Sequence, residues 1–187
     1  GVARPDAPLV LVIQLAQAGG HFAAAGTGSR HHHDGAGGFD IVILAISLVT
    51  YDQGSIAWIT WDIIKDINRR DTIDFVVHCG DITDCGSTRE YEWARDNIAR
   101  LNKPYVVLLG NHDCLGTGNE VYERMFGDPD FSFIAGRVKF VCLNTNAIEY
   151  DYSRPVPNFD FMEQEMTSRA DEFSRTVMCM HAAPYSE

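Results

Sequence analysis

The sequence predicts an α/β fold, and three observations carry that expectation. Apolar runs of strand length alternate with segments whose apolar residues recur at helical spacing, and their order reads β, α, β, α, β. Two of the runs end in short polar motifs, as strands do where they deliver side chains to one edge of a sheet. The composition agrees: 187 residues, 45% hydrophobic and 22% charged, suffice for one domain with a sizeable core.

The regular part of the chain opens with Phe39-Asp40-Ile41-Val42-Ile43-Leu44-Ala45-Ile46, whose near-continuous apolar character predicts a strand buried on both faces. Ile56, Ile59, Ile63 and Ile67 then recur at helical spacing, with Asp62, Lys65, Asp66, Arg69 and Arg70 around the rest of the surface and Trp58 and Trp61 extending the packing face. Ile73 to Cys79 is the next strand. Ser87-Thr88-Arg89-Glu90 matches a capping box, in which serine and glutamate satisfy backbone donors at a helix start, and Ala94, Ile98 and Leu101 form that helix's apolar stripe. Asn102-Lys103-Pro104 ends it, because proline disfavours helical geometry before it, and Tyr105 to Leu109 becomes a strand. A short helix from Asn119 to Phe126 closes at Gly127, and Phe131 to Ile134 with Val138 to Leu143 reads as a hairpin around Ala135-Gly136. A polar loop follows, carrying Asn144, Asn146, Glu149, Asp151, Tyr152 and Arg154. Asn158 then starts a helix with Phe159, Met162, Met166 and Phe173 facing inward, and Thr176 to Met180 is a strand that ends at His181.

The first 38 residues are irregular and are expected to be poorly structured or processed. Leu9 to Ala16 is an apolar run that fits either a signal peptide, with Ala16-Gln17-Ala18 as a cleavage site, or a β-strand rich in branched residues. It is too short to span a membrane. Gly19 to Gly38, including His31-His32-His33-Asp34, buries little and reads as a mobile loop in preference to a metal-binding tract.

A formal charge of −11 argues against non-specific binding to nucleic acid or anionic membranes, which attract basic surfaces. Five cysteines, Cys79, Cys85, Cys114, Cys142 and Cys179, are an odd count without C-x-x-C spacing, so no disulfide framework is expected; three lie in predicted strands as packing residues, and Cys85 and Cys114, each just after a motif, read as packing near the site in preference to a metal or redox role. Free thiols lean towards a cytoplasmic location, while the signal-like run leaves export open.

The chemistry lies in the strand-end motifs Gly80-Asp81-Ile82-Thr83-Asp84 and Gly110-Asn111-His112-Asp113. Asp81, Asn111 and His181 each follow a predicted strand, and a carboxylate, an amide oxygen and an imidazole together suit Mn²⁺, Fe²⁺ or Zn²⁺. Each alone also admits a structural reading: Asp81 as a cap, Asn111 as a left-handed turn, His181 as a satisfied core histidine. Gly80 and Gly110 permit close backbone approach where the strands exit.

These motifs resemble, in order, three motifs of the calcineurin-like metallophosphoesterases: Gly-Asp-x-x-Asp, Gly-Asn-His-Asp and a later strand-terminal His. The resemblance covers residues 39 to 187, taken as the catalytic domain, and implies an αββα sandwich of two mixed sheets flanked by helices, incomplete at its C-terminus. It implies that Asp81 bridges two divalent metals, that Asn111 and His181 ligate one of them, and that His112 stabilises the transition state and helps protonate the leaving oxygen. Asp113 would orient His112, and Asp84 would brace the loop. The expected activity is hydrolysis of a phosphomonoester or phosphodiester by metal-activated water, on a small-molecule or nucleotide substrate.

Two family motifs have no counterpart. Where Asp-x-His belongs, the chain reads Ile46-Ser47-Leu48-Val49-Thr50, which puts Leu48 and Thr50 in the ligand positions; His21, His31 to His33, Asp40 and Asp52 are the available substitutes. Gly-His-x-His does not occur. The complete family site holds two ions of Mn, Fe or Zn, and a chain lacking these motifs holds one or none. The alternative function is therefore a degenerate, non-catalytic binding module built on the same cleft. A Rossmann module is disfavoured, since no Gly-x-Gly-x-x-Gly follows the first strand. Tyr150, Tyr152 and Arg154 are candidates for a specificity wall, with a solvated loop as the competing reading.

Overall fold

The structure, a computed structural model, describes residues 9–14, 41–44 and 55–182, with side chains from residue 62 onward. Strands β1 (Leu9–Gln14) and β2 (Ile41–Leu44) precede helix α1 (Ser55–Arg69), β3 (Phe75–His78), α2 (Thr88–Ile98) and β4 (Tyr105–Val107). A 3-10 turn at His112–Cys114 leads to α3 (Gly118–Phe126), the hairpin β5 (Phe131–Ala135) and β6 (Val138–Leu143), a second 3-10 turn, α4 (Phe159–Thr167) and β7 (Arg175–Met180). The strands form two sheets, ordered β1-β7-β6-β5 and β2-β3-β4.

The three-stranded sheet is parallel among its described strands, because α1 and α2 are the crossovers between them. The four-stranded sheet is mixed: β1 and β6 flank β7 in parallel, while the β5–β6 hairpin is antiparallel. Leu9–Gln14 pairs along its whole length with Arg175–Met180. The apolar run near the N-terminus is thus a strand, and residues 1–38 are not wholly unstructured; residues 15–40, with His21 and the histidine run, lie outside the described residues.

Period-two alternation builds the layers. Phe75, Val77 and Cys79 meet Phe140, Cys142, Val177 and Cys179 between the sheets, with Leu108 beside them. The intervening residues face outward. Val76 packs with Ile67 and Ile73, and Val107 and Leu109 pack with Tyr91, Ala94, Ile98 and Tyr122, so α1, α2 and α3 cover one outer face. Val141, Leu143, Met178 and Met180 on the other sheet carry Phe161, Met162 and Met166 of α4. Three of the five cysteines, Cys79, Cys142 and Cys179, are therefore inter-sheet packing residues, and all five are free.

One helical expectation needs correction. Phe159 does not face inward: it is 49% exposed, because side chains lean towards a helix's N-terminus and a first-turn residue reaches past the surface its helix covers. Phe161 takes its place. In α1 the described buried positions are Ile64 and Ile67, with Ile63 half-buried; the side chains of Ile56, Trp58, Ile59 and Trp61 lie outside the described residues.

Lys139 of β6 is 1% exposed and sits beneath α4. Its ammonium contacts the Glu165 carboxylate at 2.8 Å and donates to the Glu165 and Ser168 carbonyls and the Ser168 hydroxyl, so a strand residue caps the helix's C-terminal end. Among the described residues no helix is long and apolar enough to cross a membrane.

Candidate metal centre

Three strand ends converge where the two sheets meet: β3 brings Asp81, β4 brings Asn111 and β7 brings His181. Their approach depends on the preceding glycines. Gly80 has φ +93°, and a Cβ there would lie 2.7 Å from the Gly110 nitrogen and 2.8 Å from His181 Nδ1. A Cβ on Gly110 would stand 2.2 Å from both the backbone nitrogen and Oδ1 of Asp81. Any side chain at either position displaces a donor. Asp81 itself adopts φ +54°, a left-handed conformation costly for a non-glycine residue and typical of functional sites. The left-handed turn considered for Asn111 is absent, since its φ is −70°.

Asp81 and His181 are 3% and 8% exposed. His181 Nε2 lies 3.0 Å from Asn111 Oδ1 and 3.4 Å from Asp81 Oδ1. Its other nitrogen, Nδ1, is 2.6 Å from the Cys79 carbonyl and must donate to it, so in a neutral ring Nε2 turns a lone pair towards two oxygens. A proton or a cation between the three atoms makes that arrangement favourable, as does a turned Asn111 amide that donates to Nε2. Two donors each about 2.1 Å from one ion stand about 3.0 Å apart at a right angle and about 3.4 Å apart at the tetrahedral angle. The observed separations therefore fit a divalent cation, and the carbonyl behind His181 is the kind of outer partner that fixes a ligating imidazole. Among the described residues no group of three or more His, Cys, Asp and Glu side chains suits an ion, so an ion here would need the amide of Asn111 beside Asp81 and His181. Leu48, Thr50 and Asp52, like Asp40, lie outside the described residues.

His112 stands beside this set on the 3-10 turn. Its Nδ1 donates to the Asp84 carbonyl at 2.8 Å and lies 3.6 Å from the Asp84 carboxylate. The carbonyl, with Asp81 and Asp84 adding to it, raises the imidazole above its ordinary pKa.

The division of labour between the aspartates differs from that implied by the resemblance. Asp113 is fully buried, and its carboxylate accepts from Thr83 N and Thr83 Oγ1, both at 2.8 Å, and from Gly110 N at 2.9 Å. Burial raises its pKa. Asp113 thus ties the two motif loops together, whereas the hydrogen bond of the His112 ring is accepted by the Asp84 backbone carbonyl. Thr83, and Tyr91, whose hydroxyl donates to the Asp113 carbonyl at 2.8 Å, were not apparent as site residues from sequence. Cys114 is buried against the Gly110 carbonyl and Cys85 donates to Glu90; neither thiol joins the donor set.

Next to the β6 exit lies a cleft of about 860 Å³, lined among others by Asp130, Asn144, Tyr150, Arg154 and Asn158. Tyr150 and Arg154 thus line a common cleft. Tyr152 is 83% exposed.

The model of the calcineurin-like phosphoesterase family matches residues 54–186. The chain belongs to this family. Relatives include the glycerophosphodiester phosphodiesterase GpdQ of Enterobacter lignolyticus, 40% identical over 53 residues, which are 28% of this chain and 19% of that protein. A probable GpdQ of Arcobacter nitrofigilis is 42% identical over 40 residues, 21% of this chain and 15% of the relative. The matched stretches thus span less than a fifth of these relatives' lengths. The αββα arrangement is that expected of the family, and the family supports phosphoester hydrolysis as the chemistry.

Proposed function

We propose that this member of the family hydrolyses a phosphodiester of a small molecule, with a divalent cation held by Asp81, Asn111 and His181 and with His112 as proton donor. The observation that carries the reading is the approach of Asn111 Oδ1 and Asp81 Oδ1 to His181 Nε2, at 3.0 and 3.4 Å, with no proton available on Nε2 of a neutral ring. When bound, a cation such as Mn²⁺, Fe²⁺ or Zn²⁺ polarises a phosphoryl oxygen and lowers the pKa of a coordinated water. The protein's own groups do the rest. The Asp84 carbonyl holds His112 with its proton-bearing Nδ1 turned away and shifts the imidazole pKa upward, which favours the form that donates from Nε2 to the departing oxygen. Asp81 Oδ1 accepts the His112 backbone N–H at 3.1 Å, which fixes the acid relative to the cation ligand. The phosphodiester preference rests on the names of the relatives.

Turnover of bis(p-nitrophenyl) phosphate with added Mn²⁺ tests this reading, with His112→Ala as the diagnostic variant. The variant is expected to lose roughly 10²–10⁴ in kcat, the contribution of a positioned acid, while still binding Mn²⁺. Equal turnover by the two proteins would remove His112 from the mechanism. The binding-module reading, motivated by Leu48 and Thr50 in place of ligands, predicts Mn²⁺-independent behaviour and no turnover by either.

A further inference from the structure

The two motif loops exchange carboxylates. Asp81 of the first loop accepts the backbone N–H of His112 in the second, at 3.1 Å. Asp113 of the second accepts Thr83 N and Thr83 Oγ1 in the first, and also Gly110 N in its own loop. Asn111 is therefore bracketed, with Gly110 N pinned on one side by Asp113 and His112 N on the other by Asp81. Thr83 is the first-loop anchor of this bracket. It is fully buried, and its hydroxyl both donates to Asp113 and accepts Gly86 N–H at 3.2 Å.

Asp113 has no second route into the first loop as direct as these two bonds. Without the hydroxyl it keeps the Thr83 N–H and loses the stronger orienting constraint of two donors from one residue on one oxygen. The Gly86 N–H loses its acceptor at the same time. The spacing that fits a cation, 3.0 Å from Asn111 Oδ1 to His181 Nε2, depends on where this bracket holds Asn111. We infer that Thr83 is a positioning residue, acting through Asp113 to hold Asn111 at its distance from Asp81 and His181. The inference rests on the cation site proposed above. It assigns Asp113 and Thr83 to the spacing of the donor set, and the proton chemistry to His112 and Asp84.

The test is Mn²⁺ affinity by titration calorimetry on the full chain, for wild type, Thr83→Val and Thr83→Ser, at a temperature well below all three thermal midpoints. Thr83→Val keeps the shape and removes the hydroxyl; it is expected to bind Mn²⁺ about tenfold more weakly, the lower end of what loss of an outer partner costs a metal site. Thr83→Ser keeps the hydroxyl and removes the methyl; it is expected to restore the affinity to within about twofold of wild type. Unchanged affinity in Thr83→Val, with only a lower thermal midpoint, overturns the inference while leaving the cation site standing. An equal loss in Thr83→Ser also overturns it, because packing and not the hydroxyl is then responsible. A wild type that takes up no Mn²⁺ removes the site and the inference together.

Discussion

His78, the last residue of β3, is buried and neither of its ring nitrogens has a hydrogen-bond partner among the described residues. Such a group costs stability even when neutral, on the order of 1–3 kcal/mol for each unsatisfied polar atom that water would otherwise serve. Burial, with the neighbouring His181 as a smaller cause, pushes its pKa down to about 4. The sign follows directly. Between pH 6.5 and 4 the unfolded chain binds a proton that the folded chain refuses, so the contribution is fully present above pH 6.5 and is lost as pH falls through that window. The whole swing is about 3 kcal/mol at 1.36 kcal/mol per pH unit. Urea midpoints of wild type and His78→Leu across this range check it. Wild type is expected to weaken steeply towards pH 4, the variant less so, and the variant is expected to be the more stable at pH 7. Parallel pH profiles would contradict this account of His78.

At the scale of elements, β6 and α4 depend on each other through Lys139. Its ammonium satisfies carbonyls at the end of α4 that the helix cannot pair itself, and it holds the Glu165 carboxyl below the usual carboxylate range. Lys139→Met preserves the length of the side chain while leaving those carbonyls and the carboxylate unmatched. Urea denaturation is expected to show a loss of about 2–4 kcal/mol, and a loss under 1 kcal/mol would mean that water replaces the ammonium. This contact also marks the limit of what periodicity reveals. The capping box was legible because Ser87 and Glu90 are three residues apart, and both of its bonds are present. The strands β3, β4 and β7 were legible because apolar runs stop abruptly before Gly80, Gly110 and His181. Lys139 reads as an ordinary polar strand residue, since its burial is imposed by a helix 26 residues away. The distribution of strands between sheets was equally hidden: nothing local to Leu9–Gln14 specifies pairing with Arg175–Met180.

The whole molecule places its donor set on a seam. Asp81 and Asn111 extend from the parallel sheet, and His181 from the mixed sheet, so an ion held by all three ties the sheets together. The three converging side chains were legible from sequence, because each follows a strand. Their supports were not: Thr83 with Asp113, and Asp84 with His112, meet across 30 and 28 residues through loop geometry that no spacing rule encodes. The seam has a thermodynamic consequence. An ion that binds only the folded arrangement stabilises it by RT ln(1 + [L]/Kd), about 2.7 kcal/mol at a hundredfold excess over Kd. For a domain of this size each kcal/mol raises the thermal midpoint by about 2–4 °C, so saturating Mn²⁺ is expected to raise it by about 5–10 °C. EDTA should reverse the shift. Asp81→Asn keeps an oxygen near His181 Nε2 but removes the negative charge that balances the ion, and it is expected to abolish most of the Mn²⁺ response while leaving the metal-free midpoint within a few degrees of wild type. A chain whose midpoint ignores Mn²⁺ would show that the sheets are joined by packing alone, and that the three side chains meet around a proton.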